Sequence, residues 1–139
     1  MCFNLILHHL IGRNEADTSA LQERALSAWS HRTRFIMVSE ICYDSFFYDF
    51  TGKLIFFVTS SVFLSKIAGV VGRFVPSLRA NTLGVGVRFR SKREWLSLFE
   101  RSGYRVIDSV DGFPDPVSMP LRLLFVKEVR SDYFLLVPM

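Results

Sequence analysis

The chain has 139 residues, 50% of them apolar, 14% aromatic and 22% charged. Those proportions exclude a disordered tail or a collagen-like chain and suit one compact domain, residues 1–139, around a single core. Seventeen Lys and Arg against 13 Asp and Glu give a formal charge of +4. That excess is spread from Arg13 to Arg130 rather than gathered on one stripe, so no nucleic-acid partner is expected.

Residues 3–7, Phe-Asn-Leu-Ile-Leu, form an apolar run of strand length, as for a strand covered on both faces. No basic residue precedes the run and no small-residue cleavage site follows it, so a signal peptide is not expected. Gly12-Arg13-Asn14 breaks the run. Ser19 with Gln22 has capping-box spacing, and Leu21, Ala25, Ala28 and Trp29 then repeat as the buried face of a helix. Residues 34–40 read as the next strand. Strand, helix, strand is the unit of a parallel sheet with a right-handed crossover.

Residues 41–87 form an insertion or lid region. It opens with Tyr43, Phe46, Phe47, Tyr48 and Phe50, and residues 54–71 then approach the roughly 20 apolar residues of a bilayer span. Lys66 lies inside that stretch, and helical spacing stacks Thr59, Lys66 and Arg73 on one polar stripe. Phe56, Phe63, Ile67, Val70 and Phe74 gather on another face. The segment therefore reads as an amphipathic helix and no transmembrane span is expected. Pro76 and the loop 83–86 end it.

Ser91 and Glu94 make a second capping box, opening a helix that buries Trp95, Leu98, Phe99 and Ser102 and stops at Gly103. Residues 104–110 alternate as a strand does. Gly112, Pro114, Pro116 and Pro120 mark a loop, residues 121–129 read equally as helix or strand, and residues 133–137 form a last strand. Cys2 and Cys42 are too few for a disulfide framework, so a reducing, cytoplasmic setting is the simpler reading.

This order of elements resembles the C-terminal half of a class I S-adenosylmethionine-dependent methyltransferase. Residues 3–9, ending in His8-His9, are similar to the family's fourth strand and the turn after it, and residues 34–40 to its fifth. Arg88-Phe89-Arg90-Ser91-Lys92-Arg93-Glu94-Trp95, with Phe99 and Gly103-Tyr104-Arg105-Val106, resembles the pattern that opens the last helix and enters the sixth strand. Residues 133–137 resemble the antiparallel seventh strand. The resemblance implies an α/β, Rossmann-like sheet in the partial order 4-5-7-6, S-adenosylmethionine as cofactor and a small-molecule acceptor as substrate. The family's Gly-rich turn and the ribose-binding acidic residue of its first strands have no counterpart here; Gly84-Val85-Gly86 follows no convincing strand. Strands one to three are thus missing, the chain is expected to be inactive alone, and the edge at residues 3–7 is expected to pair with a second copy or a separate N-terminal half.

Within this scheme His8 and His9 end the first strand on the rim where open α/β sheets bind ligands, and either suits a general base. Glu40 ends the next strand on the same rim and suits a proton acceptor or a substrate-orienting group. Tyr43, Phe46 and Phe47 suit the wall of a flat or lipophilic acceptor site and equally suit core packing beneath the long helix. A metal centre is not expected, because His8, His9, His31 and Cys42 lack ligand spacing. Arg88, Arg90, Lys92 and Arg93 read as a solvated helix start, and Cys42, with no base spaced beside it, as a small core residue. The reading from another class is a non-enzymatic protein that docks a partner or a membrane surface through the exposed strand edge or the 54–71 helix.

Overall fold

The computed structural model describes residues 1–47, 49–61, 66 and 86–139. In chain order the elements are β1 (Cys2–Asn4), a 3-10 turn (Leu7–His9), α1 (Glu15–Ser27), β2 (Ile36–Ser45) and α2 (Phe50–Ser60). They continue with α3 (Lys92–Arg101), β3 (Tyr104–Val110), α4 (Met119–Leu123) and β4 (Val126–Pro138). The fold is mixed α/β, an open four-stranded sheet in the order β1-β2-β4-β3 with flanking helices. β1 runs parallel to β2, while β4 is antiparallel to both β2 and β3.

Local chemistry sets where each element starts and stops. α1 begins at Glu15 rather than at Ser19, because the Asn14 side chain accepts the Asp17 amide at 2.9 Å and Glu15 and Asp17 face the positive end of the helix dipole. Its buried residues are Thr18, Gln22 and Leu26, with Ala25 and Trp29 partly covered, whereas Ala28 is exposed. The inward face is thus rotated from the expected one, and two of its buried members are polar. α3 follows the sequence reading closely. Ser91 and Glu94 complete the capping box, Trp95, Leu98 and Phe99 are fully buried, and Gly103 takes φ +84°. Each of those three side chains contributes about 1.5–3 kcal/mol by leaving water.

The first strand is shorter than the apolar run. β1 ends at Asn4, Leu5 turns to φ +52°, and residues 7–9 curl into the 3-10 turn. The second strand is longer, continuing past Glu40 to Ser45 because β4 pairs with it throughout. The ambiguous residues divide: helix to Leu123, Phe125 at φ +63°, and strand from Val126.

β1 does not cover the whole edge of β2. Beyond it, residues 86–90 take over: the Tyr43 amide donates to the Arg90 carbonyl at 3.0 Å, and the Arg88 amide to the His8 carbonyl at 3.0 Å. α2 lies against this segment. Of the residues read as one apolar face, Phe56 is buried as expected, but so is Thr59, whose hydroxyl donates to the Ile55 carbonyl at 2.8 Å and accepts the Val87 amide at 3.3 Å. The helix ends at Ser60, and no helix among the described residues is long and apolar enough to cross a membrane. The remainder of the 54–71 reading, Lys66 apart, and Gly84-Val85 lie outside the described residues.

Gly52 permits the close approach of α2. A Cβ there would overlap the Phe89 carbonyl oxygen and stand 2.5 Å from the Arg88 guanidinium. Gly52→Ala is therefore expected to lower stability by about 1–3 kcal/mol despite the better helix former; urea unfolding measures it, and a neutral or stabilising result contradicts this packing.

The core lies on one side of the sheet. α1 and α3 cover Ile36, Val38, Phe134 and Leu136, and the Tyr104 hydroxyl ties β3 to the Leu26 carbonyl at 3.0 Å. On the opposite face Met37, Val110 and Tyr133 are each half exposed. A shallow depression of about 310 Å³ runs between β1 and β3 there, lined by Cys2, Met37, Ser39, Val110, Tyr133 and Leu135.

Candidate functional site

The side chains with most chemical capacity meet where β1 stops. Glu40 sits mid-strand in β2, but level with the end of β1, and is fully buried. Its Oε1 accepts the backbone amides of Ile6 at 2.9 Å and Leu7 at 2.6 Å, which curls the chain out of the strand and into the 3-10 turn. Its Oε2 lies 2.6 Å from Nδ1 of His8, itself 3% exposed. A carboxylate acceptor keeps the proton on Nδ1 and leaves Nε2 of the neutral ring as the basic nitrogen. His8 and Glu40 are thus brought together as a buried, oriented pair at the carboxyl end of a parallel strand pair.

His9 is separated from this pair in character. Its side chain is exposed, with its ring centroid 4.1 Å from that of His8. Partial desolvation and then the neighbouring His8 pull its pKa below the usual histidine value, against the raising effect of Glu40. On the other side, His8 stacks on Phe89 at 5.1 Å, and Phe89 on Tyr43 at 4.3 Å with the rings 8° from parallel. Burial first, and then the charge of Asp115, push the Tyr43 phenol up, so it remains a hydrogen-bond donor at neutral pH. Phe46 and Phe47 do not join this stack. They lie exposed in the turn between β2 and α2, where Phe47 meets Phe125 edge to face at 5.8 Å. Cys42 points into the core and His31 is exposed after α1; among the described residues no group of three His, Cys, Asp or Glu is placed to hold a metal ion.

Behind the pair lies a polar network that the sequence reading missed. Arg88 and Arg90 are buried, not solvated. Arg88 bridges Glu15 at 2.7 Å and Glu94 at 2.5 Å. Arg90 donates to Gln22 Oε1 at 3.0 and 2.8 Å and to Ser19 at 2.9 Å, and Gln22 in turn donates to the Leu7 carbonyl at 2.9 Å. The two buried arginines are thus balanced by partly exposed Glu15 and mostly covered Glu94, and the network fixes the backbone that carries His8. Two arginines flanking one phenylalanine at strand period, just ahead of a capping box, were the available signal.

A second charge cluster, buried at Arg130 and Asp132, sits further along the sheet. Arg130 holds Asp132 at 2.9 Å, Asp44 at 2.6 Å and Glu128 at 2.7 Å. Asp132 is fully buried, and among the described residues no nitrogen or oxygen donor reaches its Oδ2. Burial first, and then the Asp132 charge, push the neighbouring Cys42 thiol far up. The folded chain then keeps this proton where the unfolded chain, with a thiol near about 8.5, releases it, so stability falls as pH rises above about 8.5. Cys42→Ala is expected to flatten that decline. With a thiol reagent at neutral pH, exposed Cys2 reacts at once and Cys42 only on unfolding; two fast thiols contradict the placement of Cys42.

Among the described residues no Gly-rich turn follows a strand, and Glu40, the carboxylate level with the end of β1, spends three acceptor positions on Ile6, Leu7 and His8 and is closed to ribose hydroxyls. No family model matches the chain, and no curated protein was found to be similar to it.

Proposed function

We propose that this chain forms the acceptor-side part of a Rossmann-like, S-adenosylmethionine-dependent methyltransferase. In this reading His8 takes a proton from a small-molecule acceptor and Glu40 orients the imidazole. The buried His8–Glu40 pair at the carboxyl rim of β1 and β2 carries the reading. The order β1-β2-β4-β3, with β4 antiparallel, agrees with the expected 4-5-7-6 arrangement and supports it. Tyr43 and Phe89 give the flat wall for the acceptor; Phe46 and Phe47 face elsewhere. His9, at the same rim, is the second candidate base.

The cofactor is held, on this proposal, by a half that joins the free edge of β1 and covers the bare sheet face, either in a longer polypeptide or in a second one. A parallel pair with an uncovered apolar face is uncommon in finished α/β sheets, which supports a missing layer. Alone, the chain has little or no turnover. Its two unpaired cysteines are compatible with a cytoplasmic setting.

Calorimetric titration with S-adenosylmethionine tests the proposal, on the chain alone and on the chain joined ahead of β1 to a Gly-rich methyltransferase half. The expected result is no saturable heat alone and saturable binding in the joined protein, with acceptor methylation lost in His8→Gln. A joined protein that folds and binds no cofactor overturns it. The bare face and free edge also fit a non-enzymatic interaction protein, and that outcome together with capture of a partner favours this second reading.

A further inference from the structure

An exposed apolar surface lies outside the His8 rim and is unused by the proposed chemistry. At the turn after β2, Phe46 and Phe47 are 60% and 66% exposed, and Leu123 of α4 is 75% exposed. Their segments are tied together: the Phe46 amide donates to the Phe125 carbonyl at 3.0 Å, and the Thr51 hydroxyl to the Leu124 carbonyl at 2.9 Å. Along α2, Phe50, Lys53 and Phe57 follow at three- and four-residue spacing on the outward side, all exposed. Large apolar side chains gathered in this way on a surface mark an interaction site.

Phe125 adds a second observation. It holds φ +63°, a conformation that costs an aromatic residue stability, yet its ring is left nearly half exposed against Phe47. The left-handed residue closes α4, its amide donating to the Arg122 carbonyl at 2.9 Å, and an aromatic ring rather than glycine stands there at the surface.

Among the described residues the unpaired charges around this surface are mainly positive, with exposed Asp115 beside Val129 the acidic exception. Asp44 and Glu128 are neutralised by Arg130, and Asp49 by Arg93. Lys53, Arg122 and Lys127 are exposed and form no ion pair among the described residues. By contrast, the open sheet face mixes Asn4, Ser39 and Asp108 among its apolar groups.

We propose that the Phe47–Phe125 surface docks on an anionic lipid bilayer. The aromatic and leucine side chains enter the headgroup boundary, and Lys53, Arg122 and Lys127 meet the lipid charge. This binding is peripheral and independent of the methyltransferase reading.

Vesicle co-sedimentation of the full chain tests it, with phosphatidylcholine alone and with about 30% phosphatidylserine, a content that gives a clear negative surface potential. The chain is expected to sediment at least about fivefold better with the anionic vesicles, and high salt removes the difference. Phe47→Ser with Phe125→Ser lowers binding roughly tenfold, Arg122→Gln with Lys127→Gln abolishes the lipid preference, and Met37→Lys on the open sheet face changes neither. Circular dichroism checks that each variant is folded. No binding, equal binding to both vesicles, or loss only in Met37→Lys overturns the proposal. So does self-association that the paired Phe variant abolishes without any vesicle binding, which assigns the surface to a second copy.

Discussion

Replacing Glu40 by alanine is expected to cost about 3–5 kcal/mol, because the donors it serves are left without an acceptor at about 1–3 kcal/mol each. The carboxylate answers three donors: the buried Leu7 amide and His8 ring, and the partly buried Ile6 amide. Without it those donors lose their acceptor and the 3-10 turn loses the group that bends it. Glu40→Gln separates fold from chemistry. Its carbonyl still accepts the two amides, so the loss is smaller, about 1–3 kcal/mol. Its amide nitrogen then faces Nδ1 and drives the imidazole proton to Nε2. Ring nitrogen NMR reads the tautomer directly: Nδ1–H in the native chain and Nε2–H in Glu40→Gln. An unchanged tautomer contradicts the positioning role of Glu40, whatever the stability.

Arg130→Met is expected to be about as damaging, again about 3–5 kcal/mol. Asp44 and Glu128 are partly exposed and turn to water when the guanidinium goes. Asp132 does not. It is fully buried, and among the described residues only the Gly112 amide at 3.2 Å and the Cys42 thiol remain to serve it. Most of the cost is therefore one stranded carboxylate. Asp132→Asn in the Arg130→Met background is expected to recover about 1–3 kcal/mol, a coupling that chemical denaturation of the four-member cycle measures. Additive losses contradict the ion pair as the source.

The parts of the fold that were legible in the sequence are those set by local chemistry. Ser91, Glu94 and Gly103 announce α3 through its caps, and the alternation of residues 104–110 gives β3. The misreadings came from long-range hydrogen bonds that no local pattern carries. β1 stops early because a carboxylate 33 positions away takes the Leu7 amide. The face of α1 is rotated because Gln22 and Ser19 serve Arg90, which hydropathy counts as solvent-seeking. For the candidate site, His8 and Glu40 were visible as residues on a common rim, and the hydrogen bond between them needed the fold. Phe89 was read only as part of the stretch that opens α3, and its stack with His8 and Tyr43 needed the fold; Phe46 and Phe47 were assigned to the acceptor wall because sequence cannot say which side of a turn an aromatic ring faces.

Amide hydrogen exchange at β1 tests most directly whether the sheet is unfinished. The Leu5 amide donates to the Ser39 carbonyl and the Met1 carbonyl accepts the Met37 amide, and alternation along the strand turns the Cys2 and Asn4 amides to the free edge. In the dilute monomer those two amides are expected to exchange close to the unstructured rate while Val38 stays protected, and to slow as concentration or a completing half pairs the edge. Slow exchange at Cys2 and Asn4 in a monodisperse monomer contradicts the account, because the chain then covers its own edge and needs no further half.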